Sequence, residues 1–282
     1  MALTAGIIYG LLGMLGWGVA DYFAKKAVVR AGAYRSIFYT QAFGLIPLTI
    51  LFLFLPKIPS FNSGLFLLLL VGGTIDFVGF IFFYKGLKFE KLSIFTPIVA
   101  CNPIILIILS FLVLGEVLSI SQGIGIAFAI IGLILMSVER TKLRVNKKTM
   151  TLGLGAMFSW GTSLFIYGML VKEMYWVFAI LVFSLITFIA SILFFVVKKV
   201  SLKIPDKNTL GFMATVGILD TLGSIFFAIG VTKELLAIVG PIGALYPAVT
   251  LILARMLLKE KILNIQKLGI VGILIGLVVL SL

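Results

Sequence analysis

Asp76 and Asp220 stand near the middle of long apolar runs, with no Lys, Arg or His at matching depth. A carboxyl at mid-bilayer depth costs roughly 2.5–3.5 kcal/mol on insertion scales, so it faces a cavity or a polar partner. Two readings stay open. Each Asp can serve packing, bonded in its protonated form to nearby backbone or to hydroxyls such as Thr74, Thr221 or Ser224. Alternatively the two form a proton- or cation-sensitive site, and if they approach each other their titrations are coupled.

Other residues invite the same comparison. Pro97 and Pro103, and again Pro241 and Pro247, interrupt apolar runs that read as helices. A Pro inside a helix frees a carbonyl and bends the chain. In a membrane this is tolerated where neighbours or a water-filled cavity satisfy the backbone. Asn102 and Tyr246 precede Pro103 and Pro247 and are the polar groups at those breaks. Trp17, Trp160, Tyr84, Tyr9 and Phe83 can line an aromatic pocket suited to a cationic or aromatic ligand, or simply pack. Asp21 is four residues before Lys25, and the expected role is a helix-surface ion pair. Glu116 and Glu260 follow their helices directly and are expected at the membrane surface, and Cys101 is expected to be a small buried hydrophobe.

The spacing of these residues comes from a duplication. Gly73, Asp76, Gly79, Phe82, Phe83 and Gly86 return 144 positions later as Gly217, Asp220, Gly223, Phe226, Phe227 and Gly230. Pro97, Pro103, Glu116, Gln122, Gly125 and Gly132 return in the same register as Pro241, Pro247, Glu260, Gln266, Gly269 and Gly276. Trp17-Gly18 matches Trp160-Gly161 at an offset of 143, one residue having been gained or lost. Two halves follow: 1–140 as a first repeat, 141–149 as a basic linker and 150–282 as a second repeat.

The solvent around these elements is lipid. Of the residues 62% are hydrophobic and 12% charged, with a mean hydropathy of +1.26. A soluble domain has roughly 45–50% apolar and about 25% charged residues. The alternation of a membrane β-barrel is absent, so the fold class is an all-α membrane protein. Ten transmembrane helices are predicted, at 5–24, 34–55, 64–85, 92–114, 119–138, 150–170, 176–197, 208–229, 235–257 and 262–281. The N-terminus has no basic stretch before its first apolar run, so that run is expected to stay as a helix.

Five helices per half is odd, so the second copy crosses the membrane in the opposite sense, as two inverted five-helix repeats. Charge agrees. Of the 23 Lys and Arg, only Lys57, Lys172 and Lys233 fall on the even-numbered side. The bias puts the odd-numbered connections in the cytoplasm and both termini outside the cell membrane. The net charge of +13 is thereby explained by anionic lipid, and no nucleic-acid partner is expected.

Around the fourth and fifth helices of each half, the chain resembles the drug/metabolite transporter superfamily, in its EamA-type ten-helix members. The residues are Pro103, Gly115-Glu116, Gln122, Gly125 and Gly132, then Pro247, Glu260, Gln266, Gly269 and Gly276, with Lys259 replacing the Gly before the second acid. The Trp-Gly of each repeat's first helix is also similar. The resemblance implies a two-repeat transporter fold and leaves the substrate open among amino acids, nucleosides, sugars, amines and drugs. It also implies cytoplasmic termini, from which the charge distribution departs.

Inverted repeats with paired interrupted helices predict a secondary active transporter. It would move a small metabolite, such as an amino acid, amine or nucleoside, by alternating access. Asp76, Asp220, Asn102, Tyr246, Trp17, Trp160 and Tyr84 are the candidate substrate- or ion-binding residues, with a proton or sodium ion as the coupling ion. The alternative is a facilitative channel or a non-transporting membrane scaffold. With no His, one Cys and no clustered acids, no metal or nucleophile constellation is read, and neither enzyme activity nor a cofactor is expected. No Gly-rich phosphate loop occurs, so ATP drive is not expected. The expected partners are the substrate and membrane lipid, with the chain a monomer or weak homodimer.

Overall fold

A computed structural model describes residues 5–54, 63–90, 92–136, 147–201, 203–258 and 263–280. The first half contains α1 (Ala5–Ala31), α2 (Ala33–Leu53), α3 (Ser63–Phe89), α4 (Leu92–Val99), α5 (Asn102–Leu114) and α6 (Ile120–Met136). The second contains α7 (Lys147–Glu173), α8 (Trp176–Val197), α9 (Lys207–Val231), α10 (Leu236–Gly243), α11 (Tyr246–Leu258) and α12 (Asn264–Leu280). Helices α4 and α5 form one interrupted span, and α10 and α11 form another. The described residues are therefore all-α, with ten spans in two inverted repeats of five. In a hydrocarbon solvent every backbone group must be satisfied within its own segment, which leaves helices as the only answer to such long apolar runs.

Glycines let the two repeats interlock, and they do so reciprocally. Gly223 of α9 lies under Trp17 of α1, where an added Cβ would stand 2.7 Å from the indole. At the matching place Gly79 of α3 lies under Trp160 of α7, its hypothetical Cβ 2.6 Å from Nε1. Each repeat's first helix thus packs on the third helix of the other repeat. The fifth helices cross in the same fashion. A Cβ at Gly132 of α6 would lie 2.6 Å from the Gly269 carbonyl, and one at Gly276 of α12 would lie 2.6 Å from the Gly125 carbonyl. These are the close crossings that small residues permit between membrane helices. Away from them the chain turns apolar side chains outward, among them Ile120, Val197 and Leu112, as a lipid-facing surface requires.

Several boundaries differ from the sequence expectation. α1 continues to Ala31, so Lys25, Lys26 and Arg30 lie in its last turns instead of a connection. The long stems of Lys and Arg let the helix extend while the charge reaches an edge; Lys26 Nζ rests 4.5 Å above the Tyr22 ring. α7 begins at Lys147, inside the expected linker, whose residues 141–146 lie outside the described set. Glu260 and Lys259 also lie outside it. On the side carrying most bases, Lys25 donates to the carbonyls of Leu87 and Glu90, and Thr149 Oγ1 donates to Glu90 Oε2 at 2.8 Å. Asp206 caps α9 there. Its carboxylate accepts from Thr209 Oγ1 at 2.6 Å and Thr209 N at 3.0 Å, which hold it below the usual carboxylate range.

Glu116 is not at the surface. Gly115, at φ +64° in the left-handed region, closes α5 and turns the chain inward. Glu116 is then buried, pairing with Lys172 Nζ at 2.5 Å and accepting from Leu236 N at 3.2 Å and Ala237 N at 2.9 Å. Those amides open α10, whose own preceding residue, Leu235, has no side chain able to cap it. A carboxylate of the first repeat therefore caps a helix of the second, satisfying orphan donors at the positive end of its dipole.

Candidate functional site

Both interrupted spans break at the same place. α4 ends at Val99 and α5 starts at Asn102, while α10 ends at Gly243 and α11 starts at Tyr246. Each break is closed by the same tightened hydrogen bonds. Cys101 N reaches Ile98 O at 3.4 Å and Leu245 N reaches Ile242 O at 3.2 Å. Ile104 N then reaches Cys101 O at 3.1 Å, and Ala248 N reaches Leu245 O at 2.9 Å. Pro103 and Pro247 are the second residues of the new helices, where the missing N–H costs no intrahelical bond. Pro241 lies inside α10 and Pro97 within α4. Cys101 is half-buried in the first break, more accessible than a packed hydrophobe.

The breaks border a cavity of about 130 Å³. Asp76, Asp220, Asn102, Tyr246, Trp17, Trp160 and Tyr84 all line it. Residues 144 or 143 apart recur around its wall: Phe80 with Ser224, Trp17 with Trp160, Thr40 with Phe183, Gln41 with Ser184 and Gly44 with Thr187. The cavity lies on the pseudo-two-fold between the repeats.

Its polar groups are held differently on the two sides. Asp76 accepts from Ser163 Oγ at 3.1 Å and Thr187 Oγ1 at 3.3 Å, both from the second repeat, and not from Thr74. Thr74 bonds Leu70 O within its own helix, Thr221 bonds Gly44 O, and Ser224 bonds the Asp220 carbonyl. The positions matching Ser163 and Thr187 in the first repeat are Ala20 and Gly44, so Asp220 lacks the corresponding hydroxyls. Trp17 Nε1 points to Asp220 O at 3.2 Å and Ser224 Oγ at 3.3 Å. Tyr84 Oη lies 3.3 Å from Thr40 Oγ1, and Tyr167 Oη donates to Ser224 O at 3.1 Å. Asn102 Nδ2 donates to Val99 O at 3.1 Å, a carbonyl exposed by the break.

The structure adds residues that the sequence reading missed. Asp21 was expected to pair with Lys25. Instead Lys25 binds carbonyls of α3 and its neighbouring turn, while Asp21 lines the cavity. Asp21, Asp76 and Asp220 thus line one cavity, without any Lys, Arg or His among the lining residues. Gln41, Ser163, Tyr167, Ser184 and Thr187 line it too. A period-of-143 comparison with the already chosen Trp residues would have flagged Gln41 and Ser184. Tyr9 and Phe83 go elsewhere: Tyr9 stacks on Phe226, and Phe83 is fully buried against Trp160 and Phe95.

Two interlocked five-helix repeats, each with one span broken beside a shared polar cavity, define the two-repeat transporter architecture of membranes. The chain belongs to the EamA-like transporter family, which matches it at residues 4–138 and again at 147–282. An uncharacterised protein of Methanocaldococcus jannaschii is 30% identical over 137 residues, covering 49% of this chain and 99% of that protein. An uncharacterised transporter of Archaeoglobus fulgidus is 26% identical over 133 residues, 47% of this chain, and the match spans only 48% of that relative. A solved crystal structure superposes with a TM-score of 0.80 over 99% of this chain and 96% of its own, at 14% identity, which is a likeness of fold.

The breaks carry a prediction. Replacing both Pro103 and Pro247 with Ala is expected to leave melting and ligand binding near wild type while slowing flux severalfold. Ala removes the ring that bars a continuous helix across each break, so it favours an unbroken span over the broken one, and neither Pro is on the cavity wall. Parallel loss of expression and binding would assign the prolines to assembly.

Proposed function

We propose that this protein is a secondary active transporter, not an enzyme, that carries a small metabolite across the cell membrane by alternating access. The observation that supports this best is the cavity between inverted repeats, with Asp76 and Asp220 at equivalent positions on its wall. Such a site can be reached from either side by rocking one repeat against the other. The two carboxyls supply groups able to take and release a coupling proton, or to hold a sodium ion or a cationic cargo. Saturable flux with counterflow in proteoliposomes is the expected result. Flux that rises linearly with substrate and shows no counterflow would favour a facilitative channel instead. A melting-shift screen against amino acids, amines, nucleosides and sugars selects the cargo, since a ligand that binds only the folded state raises its stability.

Orientation is tested separately. With twenty of the 23 bases on the odd-numbered side, residues 141–149 are proposed to face the cytoplasm and both termini the outside. A cysteine at Asn146, in a protein also carrying Cys101→Ala, is expected to resist an impermeant maleimide in intact cells and to react after permeabilisation. Ready labelling of intact cells would reverse the assignment.

A further inference from the structure

Resting on that reading of the cavity, we infer that its cargo is a small organic cation bearing N–H donors: a protonated amine, seated between Asp21, Asp220, Asn102 and Tyr246. The first ground is charge. Three carboxyls line the cavity, and no basic side chain is among the lining residues. The second is a count of hydrogen-bonding capacity. Among the described residues, Asp21 Oδ2, Asn102 Oδ1 and Tyr246 Oη are buried without a hydrogen-bond partner. Asn102 is 3% exposed and Tyr246 6%, so an unmade bond on either carries the desolvation cost of a buried polar group. A carboxylate oxygen and an amide carbonyl oxygen can only accept, and a phenol oxygen can accept as well. All three atoms can therefore accept from the N–H groups of a ligand.

The third ground is which acids remain for a ligand. Asp76 is engaged by Ser163 and Thr187. Asp21 has no matching acid in the other repeat, where Leu164 takes its place on the cavity wall. The added carboxyl therefore stands on one repeat only, in α1, which packs at Gly18 against the Tyr246 backbone carbonyl. A metal ion is the poorer occupant: among the described residues no three acidic, His or Cys side chains stand close enough to share one. Trp17, whose ring meets Tyr246 edge-on at 6.5 Å, supplies a π face for the charge.

The test is binding, so it does not depend on flux. The full-length protein in detergent is titrated with benzylammonium, benzyltrimethylammonium, benzyl alcohol and benzoate, and melting and tryptophan fluorescence are followed. Benzylammonium is expected to bind at least tenfold more tightly than the quaternary ion, which offers charge without donors, and more tightly still than the alcohol or benzoate. Asp21→Asn is expected to weaken benzylammonium at least tenfold while the protein melts normally. If that variant fails to fold, Tyr246→Phe serves in its place, with a severalfold loss expected. Equal or tighter binding of benzyl alcohol or benzoate overturns the inference, as does the absence of binding by all four. Benzylammonium that binds as expected but is not carried across a bilayer sinks the transporter reading and leaves the cation site standing.

Discussion

Asp76→Asn and Asp220→Asn are each expected to give a folded protein whose gradient-driven flux falls on the order of tenfold or more, the range of a typical coupling between two sites. The expectation rests on position and on the neighbours of each acid. Asp76 is bridged to the second repeat by Ser163 and Thr187, so its state is tied to the seam that opens and closes in the proposed cycle. Asparagine keeps one carbonyl to accept from a hydroxyl but presents an NH2 where the second oxygen stood, and it cannot take up a proton. Asp220 lacks that hydroxyl pair, and its backbone carbonyl, not its side chain, receives Trp17 Nε1 and Ser224 Oγ. Its substitution should therefore disturb packing less and ligand or ion binding more. The titratable groups facing the pair are Asp21, Tyr84, Tyr167 and Tyr246, none of them a base. Flux is measured in proteoliposomes under an imposed pH gradient, then under a sodium gradient. Wild-type rates and an unchanged pH profile in both variants would reduce these acids to packing groups.

Gly217→Ala is expected to be the most damaging single-methyl addition in the bundle, lowering stability by about 1–3 kcal/mol as overpacking does. Here α9 meets α2 backbone to backbone. A Cβ on Gly217 would overlap the Thr40 carbonyl oxygen and stand 2.8 Å from Gly44 N and 3.0 Å from Phe43 Cβ. Backbone cannot swing aside as a side-chain end can, so the helices must part, and the Thr221 bond to Gly44 O beside them must stretch. Gly211, six residues earlier on the same helix, meets nothing within 4 Å and is the internal control. Gly211→Ala should be neutral or stabilising by roughly 0.5–1 kcal/mol, the helix-propensity gain of Ala over Gly. Melting of the two variants in the same detergent checks both. Comparable melting would mean that the α2–α9 crossing is loose enough to absorb a methyl group.

The sequence alone determined the frame, because a membrane fold answers to a one-dimensional code. Unbroken apolar runs must become helices, and a repeat of odd helix number must invert. The spaced Gly, Pro and acid positions could then be placed on equivalent helices without coordinates. Asp76 with Asp220 and Trp17 with Trp160 were legible for this reason. What the repeat did not copy could be decided only in three dimensions. Asp21 has a leucine as its counterpart, and its nearest base in sequence offered a plausible but wrong partner. Only the packing of α1 against α9, with Lys25 drawn off to the carbonyls of Leu87 and Glu90, turns that carboxyl to the cavity. Glu116 likewise finds its partners, Lys172 and the amides of Leu236 and Ala237, 56 to 121 residues away. Local spacing reports which helix face a side chain occupies, whereas an acid's partner depends on what the rest of the fold brings to that face.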